Sequence, residues 1–216
     1  MLITRAPSGA RVRLGSSRFV SRNGARWLTW KVISRPQAAF DLFRREGFDN
    51  VTIEDLASAA GVGRSTFLRY FASKEEAVLC AFDGQGERIA DALRARPAGE
   101  DEWTALRHAL TPLIQAYRED PDKALALTRL VRNTSSLRAW RLEKLHRWSR
   151  TLSQVLAERS GAPHAPNLTA AARAAAALDC FDTAVDHWTA SDGALDLVDL
   201  IDEAFTALTP IPRPPQ

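Results

Sequence analysis

The sequence predicts an all-α protein, in which a small N-terminal helical unit joins a larger helical body. Three observations carry this expectation. No stretch alternates polar and apolar residues over strand length, so no sheet is expected. Apolar residues recur instead at helical spacing between breaks at Pro97-Ala98-Gly99, Asp120-Pro121, Asn133-Thr134-Ser135 and Gly161 to Pro166. A length of 216 residues accommodates one small unit plus one larger helical domain and is too short for more.

Residues 1–30 are rich in Arg, Ser and Gly and show no sustained periodicity. Residues 1–35 hold eight basic residues and no acid, leaving 21 basic against 26 acidic residues in the rest. The net charge of +3 thus hides a basic arm on an acidic body, a distribution that suits a nucleic-acid binder. The arm reads as a flexible segment that adds phosphate contacts or probes a minor groove. A disordered tail, a start placed too far upstream and a transit peptide compete with that reading. No continuous apolar stretch marks a signal peptide, and no run approaches the ~20 apolar residues of a membrane span. Cys80 and Cys180 lie far apart without metal-ligand spacing, which makes a reducing cytoplasm with free thiols the default.

The first helix is expected over 34–46, with Ser34 as cap, Pro36 in the first turn, and Ala39, Phe40, Leu42 and Phe43 inward. Phe48 and Val51 then bridge Gly47 to Thr52. From Thr52 to Phe71, the segment TIEDLASAAGVGRSTFLRYF reads as two short helices on a tight turn. Thr52 caps the first, Glu54 and Asp55 occupy its first turn, and Ile53, Leu56 and Ala60 share a face. Gly61 ends it and Val62 plugs the gap between the helices. The second runs from Arg64 to Phe71 with Phe67 and Phe71 on its inner side. This is the helix-turn-helix geometry that lays a second helix in a DNA major groove. Arg64, Ser65, Leu68 and Arg69 then face outward. Arg64 is placed for a guanine edge, while Thr66, Arg69 and Tyr70 offer hydroxyls and charge to phosphates. The plain alternative is an ordinary helix hairpin with a solvated basic face.

Ser73-Lys74-Glu75-Glu76 reads as a capping box, with Glu76 reaching back to the Ser73 amide. The helix it opens is expected to pass through Ala77, Leu79, Cys80, Ile89 and Leu93, with Gly84 and Gly86 as weak points. Lys74 at its start is expected at a phosphate.

Further helices are expected over 101–118, 122–132, 136–159, 168–190 and 195–208. The long third one carries an apolar stripe of Leu137, Leu145, Trp148, Leu152, Val155 and Leu156, with Arg141 inside it. Arg141 either holds an anionic ligand or, as preferred here, snorkels or pairs with a neighbouring carboxylate. Basic residues at 138, 141, 144, 147 and 150 recur every three positions, which walks around a helix instead of lining one face. They describe a solvated helix with one or two charges turned inward. Trp103, Tyr117, Trp140, Trp148 and Phe181, with Arg141, are the expected pocket lining for an apolar or amphipathic ligand. Phe181, Trp188, Ile201 and Phe205 are the expected dimer interface, because helix-turn-helix readers need two half-sites. The alternative is that both stripes are core of one monomer. The tail after Pro210 is Pro-rich and expected to be unfolded.

The segment from Ala38 to Leu79 resembles the N-terminal domain of the TetR family of bacterial transcriptional regulators. The matching points are Ala39, Phe43, Gly47, Thr52, Ile53, Ala57, Ala60, Gly61, Val62, Thr66, Tyr70, Phe71, Lys74 and Glu75. Two positions depart from the pattern: Gly63 stands where a serine usually caps the recognition helix, and Leu68 where an aromatic residue often touches the DNA backbone. The C-terminal half is more weakly similar to actinobacterial members, for which acyl-type ligands come into consideration. The resemblance implies a homodimeric repressor on a palindromic double-stranded operator, released when a small molecule enters each body. The implied division is a flexible basic arm (1–30), a helix-turn-helix domain (31–78), a ligand-binding and dimerisation domain (79–210) and a disordered tail (211–216). The expected DNA contacts are Thr52, Gly63, Arg64, Ser65, Thr66, Leu68, Arg69, Tyr70 and Lys74. A DNA-binding structural protein without a ligand is the alternative, marked by a body with no cavity. An enzyme is not expected, nor is a cofactor or metal. Asp179, Asp182 and Asp186 share a helical face, but His187 points away from them and no second His or Cys sits at ligand spacing.

Overall fold

The computed structural model describes residues 41–43, 45–82, 84–161 and 168–208. The basic arm, most of the first helix with Ser34 and Pro36, and the tail lie outside the described residues. Residues 41–43 and 45–46 are helical, and no strand occurs among the described residues. The helices that follow are α1 (Ile53–Ala59), α2 (Arg64–Tyr70), α3 (Lys74–Leu79), α4 (Gln85–Arg94) and α5 (Glu102–Ala109). Beyond them come α6 (Thr111–Glu119), α7 (Pro121–Asn133), α8 (Ser135–Arg159), α9 (Leu168–Ala190) and α10 (Leu197–Ala207).

The head is assembled by caps as much as by apolar contact. Thr52 and Asp55 form a reciprocal capping box at the start of α1. At its end, Val62 donates to Ala57 at 2.9 Å and Gly61 to Ser58 at 3.0 Å, with Gly61 at φ +70°. That pair of bonds is a Schellman closure, which requires the left-handed conformation that glycine adopts without strain. Leu42, Phe43, Phe48, Val51, Leu56, Phe67 and Phe71 pack into one core, and Val131 and Leu137 from the body complete it. The head core therefore runs on into the body instead of stopping at residue 78.

Three sequence expectations are corrected. The linking helix is broken: α3 ends at Leu79, a 3-10 turn spans Cys80–Phe82, and Gly84 at φ +77° precedes α4. Gly86 serves packing, since a Cβ there would lie 2.6 Å from Trp148 Nε1. The expected 101–118 helix is two, α5 and α6, because Pro112 has no amide to continue the ladder and opens a new first turn. In the α3 cap, Glu76 reaches the Ala72 amide at 2.6 Å rather than that of Ser73, while the Ser73 hydroxyl accepts from the Glu76 amide.

The body is organised on α8, which touches α3, α4, α7 and α9, while α9 also packs on α10. Ile89, Leu106, Leu110, Leu152, Leu156, Leu178 and Ile201 lie at the centre of its core.

Candidate DNA-reading face and ligand cavity

On α2, Phe67 is buried and turned to the core, so Arg64, Ser65 and Arg69 stand exposed, with Thr66, Leu68 and Tyr70 half-buried between. Thr52 and Gly63 are exposed at the turns that flank this face. Gly63 provides no side-chain cap to α2, as its departure from serine implies. Arg64 Nε pairs with Glu54 of α1, both side chains being about 60% exposed. Such a surface pair contributes ~0–1 kcal/mol, less than the ~1–3 kcal/mol of a good base contact, so it would not by itself keep Arg64 from one. Arg69 lies over the Tyr70 ring.

Lys74 does not fit a phosphate contact. Its ammonium donates to the carbonyls of Phe48 at 2.7 Å, Asp49 at 3.2 Å and Val51 at 3.2 Å, and sits over the Phe48 ring. All three protons are committed to the loop before α1, which Lys74 fastens to α3.

Between head and body lies a cavity of about 530 Å³, within the range of small-molecule sites. Its wall includes Phe43 and Leu56 from the head, Val78 and Leu79 from α3, and Tyr117, Leu127, Val131, Leu145, Trp148, Phe181 and Val185 from the body. Of the residues expected to line a pocket, Tyr117, Arg141, Trp148 and Phe181 do so. Trp103 and Trp140 do not: Trp103 packs 4.6 Å from the Phe205 ring and donates to the Phe205 carbonyl, and Trp140 packs on the head core under Lys144. Helical angle alone does not tell a cavity wall from a neighbouring core.

The polar part of the wall is unevenly charged. Arg141 pairs with Asp182, and Arg132 lies 3.4 Å from the same carboxylate while also pairing with Asp186. Burial, with the Arg132 charge beside it, pulls the Arg141 guanidinium down to about 10, and burial lowers Arg132 as well. Tyr117 packs edge-on against Phe181 and Trp188, and burial raises its phenol. Lys144, 7% exposed, donates to the Leu79 carbonyl at 2.9 Å. Asp182 and Asp186 are thus arginine partners, and no metal-binding group of three or more His, Cys, Asp or Glu occurs among the described residues. Residue spacing places Lys144 among basic residues of which one or two turn inward, and gives no role to Gln85. The signal for Lys144 was its place three residues after Arg141.

Phe181, Trp188, Ile201 and Phe205 are all buried within the single protomer, Ile201 completely, so none of them faces a partner. The stripes of α9 and α10 meet each other. The exposed face of α9 carries Ala172, Asp179, Thr183 and Ala190 instead.

Residues 37–79 match the bacterial regulatory proteins of the tetR family, and residues 100–211, more than half of the chain, match the MftR C-terminal domain. The chain belongs to the TetR family. It is 36% identical over 129 residues to the HTH-type transcriptional regulator TcmR of Streptomyces glaucescens, a match spanning 57% of each protein. With MftR of Mycobacterium tuberculosis it shares 28% identity over 173 residues, 77% of this chain and 83% of that one. Two solved structures share the fold of this TetR-family chain. Thermus thermophilus FadR in complex with lauroyl-CoA aligns with a TM-score of 0.54 and 21% identity over 84% of this chain and 97% of its own. FadR of Bacillus halodurans aligns with a TM-score of 0.58 and 21% identity over 83% and 94%. The chain is therefore a TetR-type transcriptional regulator with an all-α helix-turn-helix head. No helix among the described residues is long and apolar enough to cross a membrane.

Proposed function

We propose that the chain is a cytoplasmic repressor that binds a palindromic operator as a homodimer and is released by a small apolar or amphipathic molecule. One observation carries the ligand part: the cavity wall is drawn from both head and body, so its occupant touches the element that aims α2. A ligand shifts DNA affinity to the extent that it prefers the released arrangement, and a shared wall supplies that difference. The same cavity disfavours a structural DNA-binding protein without a ligand. The lauroyl-CoA held by Thermus thermophilus FadR makes acyl compounds the first candidates. The working units are the head, 31–78, and the body, 79–210, with the arm 1–30 adding phosphate contacts.

Each α2 enters one half-site, the two about 34–36 Å apart. Arg64 reads a base edge, Thr52, Ser65, Thr66, Arg69 and Tyr70 meet phosphates, Gly63 and Leu68 approach the backbone, and Lys74 holds the head together. The protomers join through the outer face of α9, where Thr183→Arg should give a folded monomer by light scattering. Selection from random duplex DNA should return a palindrome, and Arg64→Ala should cost about 1–3 kcal/mol and relax one base pair per half-site. Selection without a palindrome refutes the dimeric reader. Unchanged base preference in Arg64→Ala refutes the Arg64 assignment.

A further inference from the structure

The cavity wall treats its charged and its neutral polar groups differently. The buried charges are already matched: Arg141 pairs with Asp182, and Lys144 is committed, with the Leu79 carbonyl among its partners at 2.9 Å. Where the wall reaches the surface, Arg88, Glu119, Asp120 and Lys123 mix both signs. The neutral groups are less well served. Gln85, the first residue of α4, is 7% exposed in the wall, and its Oε1 finds no hydrogen-bond partner among the described residues. Thr128 donates to the Tyr117 hydroxyl in the same wall at 3.5 Å, the long limit of such a bond. A buried amide oxygen without a donor destabilises the fold that holds it, and an apolar side chain of the same length would not. The rest of the wall is mostly aliphatic and aromatic.

We propose that the cavity takes an uncharged amphiphile whose hydroxyl or N–H donates to Gln85 Oε1 while its apolar part fills the rest of the wall. This rests on the ligand-released reading above and narrows it: among acyl-type molecules, uncharged hydroxyl-bearing ones are favoured over free carboxylates. A carboxylate brings no donor for Oε1, and with the buried cations of the wall committed its own charge would be buried unpaired. The last torsion of a glutamine side chain is soft, so the amide turns to meet its occupant at little cost. Gln85 opens α4 directly after Gly84, where the 3-10 turn from α3 has just ended, so the bond is made at the joint between head and body.

Decanol and nonyl methyl ether have the same number of heavy atoms, and only the alcohol can donate. Full-length protein is titrated with each, and with decanoate, by tryptophan fluorescence, to which Trp148 in the wall contributes. Decanol should bind about three- to tenfold tighter than the ether, the scale of one neutral hydrogen bond, and tighter than decanoate. Gln85→Met keeps the length and apolar volume of the side chain without its amide. This variant should bind alcohol and ether alike, and its urea midpoint should be no lower than that of the wild type, since no hydrogen bond is lost. Equal affinity of the wild type for decanol and the ether, or tightest binding of decanoate, overturns the inference while leaving a ligand cavity. A preference for decanol that survives in Gln85→Met overturns the Gln85 assignment. A markedly lower midpoint in that variant overturns it too, by showing the amide to be a structural group. Binding of none of the three probes removes the ligand-released reading as well.

Discussion

Replacing Asp182 with alanine should destabilise the protein by about 3 kcal/mol, which is large for a single carboxylate. The magnitude follows from what Asp182 leaves behind. Arg132 keeps Asp186 and the Asp182 carbonyl, but Arg141, with a side chain 19% exposed, loses its ion-pair partner among the described residues. Breaking one side of a buried pair costs about 3–5 kcal/mol, and partial exposure places this case at the lower end. Burial and the neighbouring Arg132 charge already lower the Arg141 guanidinium to about 10, so the charge that Asp182 leaves behind stands in a costly place. The sign is that of a cation lowered on folding: the cost of its charge is in force below about pH 10 and fades as pH rises from there toward the unfolded value. At neutral pH it is fully present, and Asp182 offsets it. Urea unfolding at constant m measures the loss. Glu143→Ala, which removes an exposed pair with Arg147, is the control and should cost less than about 0.5 kcal/mol. Arg141→Met added to Asp182→Ala should restore much of the stability, because no buried charge then remains unpaired. Equal losses in Asp182→Ala and Glu143→Ala would refute the reasoning.

Lys74→Met should lower stability by about 1–3 kcal/mol in urea melts and leave the salt slope of DNA binding unchanged. A slope reduced by about one unit would return Lys74 to a phosphate. Glu100, which accepts from Arg96 at 2.6 Å through both oxygens and contacts His108, is lowered from its ordinary value of 4.5 to about 2, first by the Arg96 bonds. A carboxyl lowered on folding stabilises above its unfolded pKa and loses that contribution as pH falls through the folded one. Acid unfolding should therefore steepen between about pH 4.5 and 2, and Glu100→Gln should flatten that segment; identical acid curves would count against the pairing.

The head was legible because its signals are local. Thr52, Asp55, Gly61, Phe67 and Phe71 act on residues within a few positions of themselves, so their spacing in the chain is already their spacing in space. The same holds for the helical body and for most of its breaks. What residue spacing leaves open is which of two apolar neighbours a helix face meets. Phe181, Trp188, Ile201 and Phe205 have the pattern of an interface, and the packing of α9 on α10 within one protomer makes them core. Trp103 and Trp148 are both half-buried aromatic residues, yet Phe205 covers one and empty space fronts the other. Lys74 and Lys144 show the limit most plainly. Lys74 stands at a helix start and Lys144 in the middle of a long helix, and each is directed inward by carbonyls 23 to 26 and 65 positions away in the chain. A side chain's local sequence determines its helix and face, but a buried charge goes where tertiary contact leaves a carbonyl or carboxylate unsatisfied, because that is where it recovers the hydration it gives up.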